Sequence, residues 1–190
     1  LFGMANTVKV HRMKWCTFFF ALMPVAVLAQ TGPDKLGAKI DSFEAGVICA
    51  PPTTGVSKAP GTVAGTTSLI AVDPPFVSTK RRVPAVIGIG FGVKARALDI
   101  AGIEGVSIVI SHPPMGDQGT QVQTFESRIS GLDPSLTFYQ FDFNYELVTG
   151  LWQMQAMQGD TVLYRTTFEV LPPSQVPELA TICGFEEQLS

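Results

Sequence analysis

The stretch "IGIGFGVKARA", residues 87–97, carries glycine at alternate positions, Gly88, Gly90 and Gly92, with Ile89 and Phe91 between them. It is either a phosphate-cradling loop or a strand with one bare face, and the choice decides the fold class. A phosphate loop sets its glycines between a strand and a helix, whose N–H groups point at the anion. Here "VKARALDIAG" follows, with no capping residue and no helical apolar stripe, and the G-x-G-x-x-G spacing fails at Val93. Alternation by two places the three glycines on one face of a strand, with Ile87, Ile89, Phe91 and Val93 on the other. Glycine weakens a strand unless something approaches closely. A large aromatic such as Trp152 or Tyr139 is therefore expected over the bare face. If that face is open, Gly88, Gly90 and Gly92 become candidate partner-binding residues; His112 and Met115, on the loop 112–119, are the other candidates.

Strand signals extend in both directions. "KIDSFEAGVIC" puts Phe43, Ala45, Val47 and Cys49 on one face. "APPTTGVSKAPGT" reads as a loop, and "VAGTTSLIAV" as a short edge strand ending at Asp73-Pro74-Pro75. "GVSIVISH" runs up to Pro113-Pro114, and "QVQTFESRI" follows with Phe125 and Ile129 on one side. The longest alternation is "LTFYQFDFNYELV", 136–148, where Tyr139, Phe141, Phe143, Tyr145 and Leu147 share a face. It predicts one strand with a buried side. Trp152, Met154 and Ala156, the turn Gln158-Gly159-Asp160, and then Val162, Tyr164, Phe168 and Val170 predict a hairpin. Pro177, Glu178 and Gly184 sit where a helix of roughly two turns begins and stops.

The composition agrees. The 190 residues are 46% hydrophobic and only 15% charged, with 18 Gly and 14 Pro, which favours one all-β domain with many turns. The N-terminus has the form of a secretory signal. Lys14 precedes the apolar run "WCTFFFALMPVAVLA", and Val27 and Ala29 fit a cut before Gln30. Residues 1–29 are thus expected to be a signal peptide, with Met13 or Met4 as the start. Residues 30–37 form a polar leader, and 38–190 the domain, periplasmic or secreted and not inserted in a membrane. Cleavage removes Lys9, Arg12 and Lys14 and no acid. The mature chain is then more acidic than the net −3 of the whole, which argues against nucleic acid as a partner. The one basic run, Lys80-Arg81-Arg82, reads as a solvated turn. Cys16 leaves with the signal. Cys49 and Cys183 remain, and two cysteines in an exported chain predict a disulfide.

No catalytic motif is visible. His112 is the one histidine of the mature chain. In a strand, Ser111 beside it points to the opposite face, and no G-x-S-x-G elbow exists. His112 with nearby carboxylates is the enzymatic alternative, a hydrolase or lyase. Asp142 and Glu146 lie on one face of the 136–148 strand, about 13 Å apart at 3.3 Å per residue, too far for a glycosidase pair. Cysteine and histidine spacing fits no metal site, and no cofactor is expected. The loops 112–119 and 73–82 are the expected recognition loops.

The segments "FEAGVIC", "APGTVAGTT", "PPFVS", "VPAVIGIGFGVKA", "HPPMG", "DPSLTFYQFD", "ELVTGLW" and "VPELATICGFE" resemble a family of exported bacterial proteins, a domain of unknown function, DUF3859. The likeness runs from Phe43 to Glu186. It implies a small periplasmic or secreted domain and supplies no activity. The expectation is an antiparallel, immunoglobulin-like β-sandwich with a short C-terminal helix tied on by Cys49–Cys183. It is expected to be a binding or interaction module for a protein or a small extracellular ligand.

Overall fold

The computed structural model describes residues 33–49 and 51–189; the expected signal peptide lies outside them. The strands are β1 (Lys35–Leu36), β2 (Ile40–Ile48), β3 (Thr53–Lys58), β4 (Thr66–Ile70), β5 (Arg82–Pro84) and β6 (Gly90–Ala97). They continue as β7 (Ile103–Met115), β8 (Thr120–Ile129), β9 (Ser135–Gln140), β10 (Gly150–Gln158) and β11 (Thr161–Leu171), before helix α1 (Ala180–Cys183). One sheet has the order β1-β11-β10-β7-β8, with β5 also on β11; the second is β2-β6-β9; β3 and β4 form a separate hairpin. All pairings are antiparallel except β5 with β11.

Labelled as in immunoglobulin domains, β2, β6 and β9 are A, B and E. The facing sheet is G, F and C (β11, β10, β7), with β8 beside C. The chain changes sheets between β6 and β7, β8 and β9, and β9 and β10, which is Greek-key wiring. This is an immunoglobulin-like β-sandwich. Its core centres on Phe91, whose ring lies 4.7–5.9 Å from those of Tyr139, Phe141, Trp152 and Phe168. Such rings bring large buried area and favourable tilted contacts.

The glycine segment divides into a turn and a strand. Ile89 N donates to Val86 O, and Gly88 has φ +86°, the third position of a type II turn. Gly88 is therefore not on the strand's glycine face. Gly90 and Gly92 are, and both are buried. Trp152 and Tyr139 do not cover them, because both pack on the opposite, core side of β6 with Phe91. Ile48 and Phe138 close the face on β6, and Phe76 closes it on the adjoining β2. A Cβ at Gly90 would lie 2.9 Å from Ile48 Cγ1, and one at Gly92 2.8 Å from Phe138 Cβ. Gly46, opposite Gly92 on β2, would meet Phe76 Cγ at 2.7 Å. Residues 76–78 run along β2, with Val47 N donating to Ser78 O and Val77 N to Val47 O.

Four further expectations are corrected. The 136–148 alternation does not continue as one strand: β9 stops at Gln140, and Asn144–Glu146 form a 3-10 turn. The cause is Glu146, whose carboxylate accepts the backbone N–H groups of Asp142 and Phe143 at 2.6 and 2.9 Å. β7 passes through Pro113-Pro114. Pairing with β10 ends at Ser111 and the register with β8 shifts between Ser111 and Met115, so the prolines displace no ladder donor. The 50–62 segment, expected as a loop, includes β3. Arg81 is not a solvated turn residue: its guanidinium grips both Asp34 oxygens at 2.7 and 2.8 Å, reaches Thr166 Oγ1 and lies over Phe168.

The C-terminal end follows its sequence signals. A 3-10 turn, Pro177–Leu179, leads into α1, which stops at Gly184 with φ +74°. Cys49 and Cys183 are joined, tying α1 to the end of β2.

Candidate functional site

The sandwich leaves a seam between β8, the edge of one sheet, and β9, the edge of the other. The β3–β4 hairpin lies across this seam and, with the two edges, encloses a cleft of about 310 Å³. The chain after β3 is fastened to β8 by two bonds. Thr124 N donates to Gly61 O at 2.9 Å, and Val63 N donates to Gln123 Oε1 at 2.8 Å. Gly61 is required at the first contact, since a Cβ there would fall 2.5 Å from Thr124 O.

Beneath the cleft runs a chain of hydrogen bonds through four buried side chains, His112, Gln123, Tyr139 and Glu146. Proton positions follow from their partners. His112 Nδ1 donates to Pro113 O at 2.8 Å, which leaves Nε2 as an acceptor. Gln123 Nε2 donates to that Nε2 and to Tyr139 Oη, both at 3.2 Å. Tyr139 Oη donates to Glu146 Oε1 at 2.7 Å, and Glu146 Oε2 takes the two backbone N–H groups already described. His112 also stacks on Trp152 at 4.6 Å.

Burial governs how these groups titrate. It lowers His112 from its ordinary value, against the opposing bond to Pro113, and so favours the neutral ring. It pushes the Tyr139 phenol upward, with the Glu146 charge adding to the effect. It raises Glu146 as well, while Tyr139 and the Phe143 and Asp142 amides hold the shift back. A network satisfied at every donor and acceptor is rigid, and costly to break at any single member.

The residues singled out in the sequence take other places. His112 is 6% exposed, with Nδ1 on the Pro113 carbonyl and Nε2 on the Gln123 amide. Met115 is buried, and Gly90 and Gly92 are closed over. Asp142 and Glu146 are not 13 Å apart along a strand, because the chain folds back at Glu146. Gln123 and Tyr139 were not foreseen as polar-site residues. A buried glutamine on β8 has no local signal, and the tyrosine hydroxyl is hidden within an aromatic stripe. The same turn at Glu146 carries Phe143 and Tyr145 outward, where they are 47% and 37% exposed and stacked at 5.3 Å.

The fold and cleft define an immunoglobulin-like domain with a covered seam between its sheets. The chain belongs to the family described as a domain of unknown function, DUF3859, whose model matches residues 36–170. Among solved structures it is similar to an immunoglobulin-like protein from Pseudomonas aeruginosa. The identity is 18%, the coverage 74% of this chain and 98% of the other, and the TM-score 0.47. No curated protein sequence matches it.

Proposed function

We propose that this domain is an exported binding module whose recognition site is the cleft between β8 and β9 under the β3–β4 hairpin. The observation that carries this reading is the cleft itself: a preformed concavity of about 310 Å³ whose floor is held rigid by the His112–Gln123–Tyr139–Glu146 chain. Binding sites are typically concave, largely preformed and furnished with a few fixed polar groups. Export is supported by the signal-like N-terminus and by a disulfide suited to an oxidising compartment.

The test uses the mature protein immobilised and exposed to periplasmic extract. Ser68 lines the cleft from the hairpin, outside the sandwich core, so Ser68→Trp fills the cavity and leaves the fold intact. A stoichiometric ligand retained by wild type and by Val56→Trp, on the exposed β3, but lost with Ser68→Trp supports the site. Equal retention by all three overturns it.

A further inference from the structure

We infer that the occupant of this cleft is an extended peptide segment bearing a basic side chain, added as a strand along the free edge of β9. The inference rests on the cleft being the recognition site, and adds to it the class of partner.

The first observation is what lines the cavity. Residues 66–70 of β4, 125–127 of β8 and 136–140 of β9 are consecutive runs. Side chains alternate across a strand, so a cavity that meets every residue of a run faces the strand's backbone edge, not one of its faces. Each strand has a single partner among the described residues: β4 pairs with β3, β8 with β7, and β9 with β6. The cleft is therefore walled by three strand edges.

The second is which backbone groups point outward. In an antiparallel pair, alternate residues turn their N–H and C=O groups towards the partner. Phe141 bonds to the β6 side, donating to Ile89 O and accepting from Gly88 N. Tyr139 and Thr137 follow it, so Leu136, Phe138 and Gln140 face the open edge. Leu136 confirms the phase, since its N–H leaves the ladder for Asp73 Oδ2 at 3.1 Å. On β8 the same reasoning starts from Thr124, whose N–H takes Gly61 O from outside the sheet, and places Glu126 as the next outward rung. The chain supplies one rung at Gly61 and then turns away.

The third is the place of this edge in the fold. Constant-type immunoglobulin domains pair a further strand, D, with E. Here β9 is E, and among the described residues no strand lies on its side away from β6. A peptide entering the cleft takes that position, as in other cases of strand addition to an exposed edge. Charge then selects among peptides. Asp73, Glu126 and Asp142 are exposed at the rim, and among the described residues no lysine or arginine lines the cleft. Gln140, in its wall, also keeps Oε1 out of solvent without a donor.

The test is a fluorescein-labelled peptide, Thr-Val-Lys-Val-Thr-Lys, titrated by anisotropy against the mature protein. Two companions accompany it: one with Glu for Lys, and one N-methylated at alternate amides. Saturable binding is expected, at least about tenfold weaker for either companion. Hydrogen exchange is expected to slow at Glu126, Phe138 and Gln140 when peptide is bound. Asp73→Asn and Glu126→Gln should each weaken the lysine peptide several-fold, Glu126→Gln without changing the melting temperature. Equal binding of the N-methylated peptide overturns strand addition, and equal binding of the glutamate peptide overturns the basic preference. No binding of any peptide at 1 mM, or protection of the same amides by self-association in sedimentation, overturns the peptide as occupant. In that case Ser68→Trp still abolishing ligand capture leaves the cleft as the recognition site, so the two readings fail separately.

Discussion

Tyr139→Phe removes one oxygen atom and breaks the polar chain at its centre. The hydroxyl both donates to Glu146 Oε1 at 2.7 Å and accepts from Gln123 Nε2 at 3.2 Å. Losing a hydrogen bond to a charged group costs about 1.5–3 kcal/mol, and an orphaned buried donor adds about 1–3 kcal/mol. Relaxation of the cleft offsets part of this, so the expected loss is about 3 kcal/mol at pH 7. With a urea slope near 2 kcal/mol/M, the midpoint of unfolding should fall by about 1.5 M. The sign of the pH dependence follows from Glu146. Its folded pKa is raised above the ordinary 4.5 by burial, and the variant raises it further by deleting the Tyr139 bond that holds it down. A carboxyl with a raised folded pKa contributes stability that is present below its unfolded value and lost as pH climbs through the folded one. The penalty of Tyr139→Phe should therefore be smaller at pH 4 than at pH 7. Urea unfolding of both proteins at the two pH values measures it. A loss under about 1 kcal/mol at pH 7, or a penalty that grows on acidification, would refute the assigned network.

Gly92→Ala forces a methyl against Phe138 and the Thr137 carbonyl and should cost about 1–3 kcal/mol, whereas Gly105→Ala, at φ +64° in open space, should cost about 1 kcal/mol from backbone strain alone; thermal melts separate the two. Reducing Cys49–Cys183 opens a loop spanning 134 positions and should cost on the order of 4–5 kcal/mol on the chain-entropy model, read as a shift in urea midpoint with and without dithiothreitol. His112, whose pKa is lowered by burial, contributes stability that is complete above pH 6.5 and declines as the pH falls from there towards its folded value, with a slope of at most about 1.4 kcal/mol per pH unit. His112→Phe keeps a ring on Trp152 and should flatten that part of the profile.

Much of the fold was legible because its signals are local. Gly159 at a tight turn, the Trp152–Met154–Ala156 alternation, and the Pro177 and Gly184 stops each act over a few residues, and each stands where its chemistry puts it. The errors arose where a distant group overrode a local pattern. Alternation from 136 to 148 is uninterrupted in sequence, but one buried carboxylate captures two backbone amides and ends the strand at Gln140. The glycines Gly90 and Gly92 are closed over by Ile48 and Phe138 on the neighbouring strands, not by Trp152 or Tyr139, because the cover is set by cross-strand register and not by any local pattern. The cleft was legible only in part. His112 stood out by being alone, while Gln123 gains its meaning from partners 11 and 16 residues away.

The bond between Cys49 and Cys183 also sets how the domain bears mechanical load. Tension entering along β2 and leaving through the C-terminal turns crosses directly from one sulfur to the other. Everything enclosed between them, including both sheets of the sandwich from β6 onward, lies off the load path. Pulling the oxidised protein by its ends should extend only the short segments outside the loop, at most about 3.6 Å per residue. The reduced protein should release the whole domain's contour length. The cleft would thus keep its shape under strain for as long as the disulfide is intact.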